Sequence, residues 1–187
     1  MTGAVLLAAT SAWAHVVVTP SQASVASWLT FTVSVPNEKD LATTEVRLLV
    51  PDGIKKVTPT MKPGWSITVE NDNAGHAIVW KGQLPAGFRD EFTFSTQVPD
   101  HATDVIWKAY QTYADGVVVK WEADPSSPGT HGPEATEKSN QGPYSVTRVV
   151  DDLPGSAGSG AELPLSIIAV VLSLVAAGLA VVALRRG

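Results

Sequence analysis

Apolar and polar residues alternate along much of the chain between residues 15 and 150. In the segment WLTFTVSV, residues 28–35, every second residue from Leu29 onward is apolar, and Thr or Ser lies between. A period of two predicts a β-strand with one buried face. Comparable runs predict further strands at residues 16–19, 44–50, 65–70, 76–81, 88–98, 105–114, 117–121 and 144–150.

Clusters of Pro, Gly, Asn and Asp separate these runs, and no segment before residue 164 has a helical period. Short strands at this spacing predict an all-β fold, an antiparallel two-sheet sandwich of immunoglobulin-like or cupredoxin-like type. Asp115-Gly116 favours a type I′ hairpin turn, which needs two residues with positive φ. Residues 124–142 are rich in Pro, Gly and Ser and predict a long exposed loop.

Residues 1–14 have the character of a secretory signal peptide. They are mostly apolar and end in Ala12-Trp13-Ala14, the small-x-small pattern that signal peptidase accepts, so cleavage is expected after Ala14. No Lys or Arg precedes Lys39, whereas such leaders begin with a basic segment. We therefore expect the leader to be incomplete at its start.

The other end of the chain predicts a membrane anchor. Residues 164–184 are uncharged and long enough to cross a bilayer as a helix. Arg185 and Arg186 follow, and the positive-inside rule keeps the tail at residues 185–187 in the cytoplasm. Residues 151–163 predict a flexible linker. The folded domain at residues 15–150 is thus expected outside the cytoplasm, on a single-pass protein of the cell membrane.

Composition narrows the chemistry of this domain. The chain has 13 basic and 18 acidic residues, so without Arg185 and Arg186 the formal charge is about minus seven, which argues against nucleic-acid binding. Cysteine is absent, which removes the soft thiolates that select Cu(I) or structural zinc. Nitrogen and oxygen ligands remain for any metal site.

His15 would become the first residue after cleavage behind Ala14. It would then offer two nitrogen ligands, its free α-amine and its ring Nδ1, which can close a six-membered chelate on Cu(II). This signal is only moderately specific, because an N-terminal histidine taken alone is more often incidental than a ligand.

Several spaced segments resemble the bacterial YcnI-like copper-binding family, long catalogued as a domain of unknown function. They are HVVVTPSQASVASWLTFTVSVPNEKDLATTEVRLLVP, PGWS, FTFSTQVPD and WKAYQTYADGVVVKW. The resemblance covers roughly residues 15–123. It implies a monohistidine brace for Cu(II), formed by the mature N-terminal histidine, an acidic residue in the third predicted strand and a tryptophan beside the metal.

Carried over position by position, the resemblance implies His15 and Glu45 as metal ligands and Trp121 as a residue packed beside the metal. Without the resemblance, Glu45 would be an exposed glutamate paired with Arg47, since such surface pairs are common and weak. Trp121 fits a core tryptophan equally well. Two acidic neighbours of Trp121, Glu122 and Asp124, are alternatives to Glu45 as the carboxylate ligand.

The function that the resemblance implies is a membrane-anchored, extracytoplasmic Cu(II)-binding protein for copper acquisition, trafficking or homeostasis. It would pass copper to a transporter or metallochaperone of the same membrane and would not be an enzyme. Two alternatives stay open. A copper-dependent oxidative enzyme would use a second histidine in its brace, and no second histidine has a matching strand context. A structural immunoglobulin-like module would need no metal.

Overall fold

The computed structural model describes residues 15–72, 75–127 and 140–153. Within these ranges no helix is long and apolar enough to cross a membrane. The expected leader at residues 1–14 and the expected membrane helix at residues 164–184 lie outside the described residues, and both stay predictions.

The described part of the chain contains thirteen strands, and the prediction of an all-β fold is confirmed. They are β1 (Val17–Thr19), β2 (Gln22–Ser24), β3 (Trp28–Pro36), β4 (Thr43–Leu49), β5 (Lys55–Pro59), β6 (Ser66–Asp72), β7 (Gly75–Leu84), β8 (Arg89–Gln97), β9 (Thr103–Trp107), β10 (Ala109–Tyr113), β11 (Val118–Ala123), β12 (Gln141–Pro143) and β13 (Ser145–Val150).

These strands form three sheets. A four-stranded sheet has the order β1-β3-β8-β5, a six-stranded sheet the order β12-β11-β10-β4-β7-β6, and a small sheet the order β2-β13-β9. Most neighbours are antiparallel, but β11–β12 and β13–β2 are parallel. The expectation of two purely antiparallel sheets was therefore too simple. Strand β12 joins the six-stranded sheet after a long connection, and β2 pairs with β13 from the opposite end of the domain sequence.

The core lies between the four-stranded and the six-stranded sheet. Phe31 from β3 and Val46 from β4 are both fully buried, as the alternating pattern predicts. Trp80 of β7 packs on Phe92 of β8 with ring centroids 5.2 Å apart. This aromatic contact joins the two sheets near the middle of the sandwich.

One predicted strand, at residues 105–114, is two strands in different sheets. Trp107 in β9 and Ala109 in β10 are both buried, and Lys108 between them is exposed. The alternation runs through Lys108 without a break, so the sequence pattern contains no sign that the chain changes sheet there.

The hairpin between β10 and β11 lies where it was predicted, but its turn differs from type I′. Gly116 has a φ of 83°, whereas Asp115 does not have a positive φ. The Gly116 amide donates to the Tyr113 carbonyl (2.9 Å) and the Tyr113 amide to the Val117 carbonyl (2.9 Å). This pattern is a three-residue loop with glycine at its left-handed position, a common hairpin solution.

Candidate metal centre

His15 lies two residues before the start of β1, and its ring contacts the indole of Trp121. The ring centroids are 5.9 Å apart and the planes meet at 81°, an edge-to-face contact. Next to His15 the chain is fixed by Ser145: the Val18 amide donates to its hydroxyl (3.1 Å), which donates to the Val16 carbonyl (3.2 Å). The segment after His15 is therefore held by β3 on one side and by Ser145 on the other.

Trp121 points into the core from β11. It pairs with Ala109 of β10, which in turn pairs with Leu48 of β4, and all three are buried. Only 4% of Trp121 is exposed, and its Nε1–H finds no acceptor among the residues described here. Buried donors of this kind are rare, so the ring that contacts His15 offers an unused hydrogen bond.

Strand β12 packs directly on this indole. Gly142 is the register partner of Trp121, and a Cβ atom built on it would lie 2.2 Å from Cε3 and 2.3 Å from Cζ3 of the indole. No side chain fits at that distance, so the contact requires glycine. The end of the segment predicted as an exposed loop is thus a packed strand, while residues 128–139 lie outside the described ranges.

Glu45 is on the opposite face of the six-stranded sheet from Trp121. Its neighbour Val46 points into the core, and Glu45 itself points outward and pairs with Lys81 (3.3 Å). Two strand spacings, about 10 Å, also separate β4 from β11. The expected pair with Arg47 is not formed, because Arg47 binds Glu70. The structure thus brings His15 and Trp121 together and separates Glu45 from them. Metal binding by Glu45 stays a prediction that this geometry does not support.

The two alternative carboxylates have other partners. Glu122 alternates with Trp121 and accepts a hydrogen bond from the Tyr110 hydroxyl (2.7 Å). Burial and then this hydrogen bond raise the pKa of Tyr110 to about 12. Asp124 accepts hydrogen bonds from the hydroxyl and the amide of Ser126 (2.7 and 2.8 Å), and these lower its pKa.

The nitrogen atoms that His15 can offer as metal ligands suit Cu(II). Within the described ranges, no group of three or more His, Cys, Asp or Glu side chains is placed to hold a metal ion. A chain that begins at His15 adds an amine nitrogen to the imidazole, and both are ligands that suit Cu(II). The orphan indole N–H of Trp121 could also donate to an oxygen ligand or a water at such a site.

The fold and the site define an immunoglobulin-like β-sandwich in which His15 packs on a core tryptophan. The chain matches the family model described as "Domain of unknown function (DUF1775)" over residues 15–140. It is 34% identical over 190 residues to the copper-binding protein CutI of Bacillus subtilis (strain 168), covering 98% of this chain and 91% of CutI. The chain therefore belongs to the DUF1775 family, and the YcnI-like resemblance is confirmed.

Solved structures with similar folds were also found. An uncharacterized protein from Nocardia farcinica with an immunoglobulin-like fold is similar, with a TM-score of 0.59 and 23% identity over 73% of this chain and 98% of that chain. A cohesin module of a Clostridium perfringens ATCC13124 family 33 glycoside hydrolase gives a TM-score of 0.43 and 9% identity, over 72% of this chain and 94% of the module. The first of these confirms the immunoglobulin-like form of the predicted sandwich.

Proposed function

We propose that this protein is a membrane-anchored, extracytoplasmic Cu(II)-binding protein that captures copper and passes it on, with His15 as its first mature residue. The observation that carries the proposal is the contact between the His15 ring and the buried indole of Trp121. The match to the family model also begins at His15, the residue that the expected cleavage would expose.

In this proposal, His15 holds copper through its α-amine and ring Nδ1. The amine has an ordinary pKa of about 7.7 to 8.0 and the imidazole about 6.5, so both lose their protons to a metal ion near neutral pH. The Trp121 ring limits how the imidazole can turn, and Ser145 holds the chain that follows it. A chelate whose parts are already in place loses less entropy when it binds its ion.

Trp121 has a second role in the proposal, which is to cover one side of the site. Its indole is almost fully buried and brings apolar surface against the imidazole, so water reaches that side of the ring poorly. The indole has no lone pair suited to a metal and therefore contributes shape and exclusion of water. Trp121 is at the same time a core residue, and the two roles are compatible.

The name of the relative CutI supports copper as the cargo. A site with few protein ligands at a chain terminus leaves coordination positions open, and an incoming ligand can attack them. Such a site favours transfer of its ion over catalysis. We propose a transporter or metallochaperone of the same membrane as the recipient, since the expected anchor at residues 164–184 would keep donor and recipient in one plane.

The deciding experiment compares two forms of the processed chain in Cu(II) titrations. One form begins at His15 with a free α-amine, and the other is the same chain with that amine acetylated. Acetylation leaves the ring in place and removes the amine as a ligand, so Cu(II) affinity is expected to fall at least about a hundredfold, more than the loss of an outer-shell partner usually costs. A His15→Ala chain should bind as weakly as the acetylated form.

Equal affinity of the two forms would contradict the proposal and favour the structural module without a metal. A titration series between pH 6.5 and 7.5 adds an independent measurement. The Cu(II) affinity of the form that begins at His15 should rise about tenfold over this pH unit, because copper binding displaces the proton of the α-amine. The acetylated form has no such amine and should show a weaker dependence.

A further inference from the structure

The six-stranded sheet contains two contacts between a glycine and a tryptophan: Trp121 lies in the strand next to the glycine, and Trp65 lies directly before such a strand. At one edge Gly142 packs on Trp121, and a Cβ there would approach the indole to 2.2 Å. At the other edge Gly82 packs on Trp65, where a Cβ would approach the indole to 2.5 Å and the Gly64 carbonyl oxygen to 2.7 Å. Of these two tryptophans, Trp121 makes a ring contact with His15.

We infer that Gly142 is a positioning residue for the copper site, and that strand β12 acts as a strap that sets the place of the Trp121 ring and through it the His15 imidazole. The inference rests on the proposed role of His15 as a copper ligand. Gly142 itself is not a ligand in this account. It acts by allowing the backbone of β12 to lie directly against the indole.

Strand β12 is tied down on both sides of Gly142 and cannot easily move away from the ring. Before it, the Lys120 amide donates to the Asn140 carbonyl (2.9 Å), and after it the Tyr144 amide donates to the Ala123 carbonyl (3.0 Å). The Lys39 ammonium group also donates to the Asn140 side-chain oxygen (3.4 Å). A larger residue at position 142 therefore pushes the indole more readily than it pushes the strand.

The indole would in turn displace His15. The backbone of Trp121 is fixed by its pairing with Ala109, and the rest of the ring lies in a close-packed core, which resists displacement. His15 precedes the first strand and is only partly buried. It is therefore the neighbour of the ring that gives way most easily.

The matched test uses two substitutions of the same kind, Gly142→Ala and Gly82→Ala, in the processed chain beginning at His15. Gly142→Ala is expected to weaken Cu(II) binding at least tenfold, the usual cost of disturbing a residue that orients a ligand. Gly82→Ala strains the contact with Trp65 and also meets the Gly64 carbonyl oxygen, at the opposite edge of the sheet, and should leave Cu(II) affinity unchanged. Thermal unfolding of both variants measures the cost to the fold separately.

A measurement without metal checks the same idea. In the metal-free protein, proton NMR should give a nuclear Overhauser contact between the His15 imidazole and the Trp121 indole. Gly142→Ala should abolish or shift this contact, and Gly82→Ala should retain it. If Gly142→Ala lowers thermal stability but leaves both the contact and the Cu(II) affinity unchanged, Gly142 is a packing residue only and the inference is wrong.

A double substitution keeps the test decisive if Gly142→Ala folds poorly. Trp121→Phe replaces the indole by a smaller ring and makes room for the added methyl group, so Trp121→Phe/Gly142→Ala should bind Cu(II) as Trp121→Phe alone does. Non-additivity of this kind is the signature of direct coupling between two residues. A double variant that binds more weakly than Trp121→Phe would contradict transmission through the ring.

The inference and the proposed function fail in different ways. If His15→Ala leaves Cu(II) affinity unchanged, the proposed function is wrong, and the NMR contact alone then decides whether Gly142 positions the ring. If His15→Ala abolishes binding and Gly142→Ala does not weaken it, the proposed function stands and the role of Gly142 is refuted.

Discussion

The two edges of the six-stranded sheet are built alike and differ in one partner. At each edge a tryptophan packs on a glycine and makes an edge-to-face contact with a ring from the side of the four-stranded sheet. Trp65 meets Phe92, with centroids 4.8 Å apart, and Trp121 meets His15 at 5.9 Å. The two arrangements are similar, although Trp121 is more deeply buried than Trp65, and their chemistry differs because an imidazole replaces a phenyl ring.

A charged side chain near each edge extends this similarity. The Lys62 ammonium group lies 5.1 Å from the Phe92 ring centre, and that of Lys39 lies 4.7 Å from the Tyr113 ring centre. Cation–π contacts of this kind are worth about 0.5 to 1 kcal/mol at exposed sites. The comparison shows that the same packing of a tryptophan on a glycine occurs at both edges of the sheet. In the proposed function it also supports a metal site at the edge where His15 supplies the second ring.

The largest expected effect distinguishes Phe92 from His15, the two rings that contact Trp65 and Trp121. Phe92→Ala removes a buried core ring and should lower the free energy of unfolding by about 3 to 5 kcal/mol, with Cu(II) affinity unchanged in the molecules that remain folded. His15→Ala should do the reverse, with affinity lost and stability changed by less than about 1 kcal/mol. Urea unfolding and Cu(II) titration of both variants check this contrast, and a large stability loss in His15→Ala would break it.

Replacing the tryptophans should show an unequal cost. Trp121→Ala leaves a cavity at a site that is 4% exposed and should cost about 3 to 5 kcal/mol of unfolding free energy. Trp65 is only partly buried, so Trp65→Ala should cost clearly less. Urea denaturation midpoints of the two variants give the comparison. Equal losses of unfolding free energy would show that the different exposure of the two tryptophans does not determine how much each stabilises the fold.

Alkaline pH should destabilise the fold through Tyr113. Burial raises the pKa of Tyr113 to about 12, above the value of about 10 in the unfolded chain. Its stabilising contribution is therefore complete below pH 10 and declines by about 1.4 kcal/mol for each pH unit from pH 10 to pH 12. Urea unfolding at pH 9 and pH 11.5 should show a smaller decline in Tyr113→Phe than in the unsubstituted chain.

The smallest expected effect concerns Glu45. Glu45→Gln breaks an ion pair with Lys81, whose side chain is 61% exposed, and should cost less than about 1 kcal/mol. Because Glu45 lies on the outer face, Cu(II) affinity should not change. A drop in affinity, together with an altered Cu(II) paramagnetic resonance spectrum, would show that Glu45 reaches the metal and that its placement on the outer face does not hold when copper is bound.

The prediction of strands succeeded where apolar and polar residues alternate over a long segment, and it failed for two very short strands. Strand β3 follows from the regular pattern of residues 28–35, but β2 and β12 have three residues each, too few for a periodic signal. Their parallel pairing depends on distant segments that meet only in the folded chain. For the same reason no feature of the sequence marked Gly142, a glycine between glutamine and proline in a polar segment, as a contact of Trp121.

The sequence by itself determined which residues enter the core, because burial follows from side-chain hydrophobicity and the two-residue period of strands. It also determined that His15 follows a cleavage pattern and has two nitrogen ligands to offer after cleavage. Only the tertiary structure decided that Trp121 meets His15, that Glu45 faces away from them, and that β12 closes over the indole. These are relations between strands remote in the chain, and sheet order, register and face together fix them.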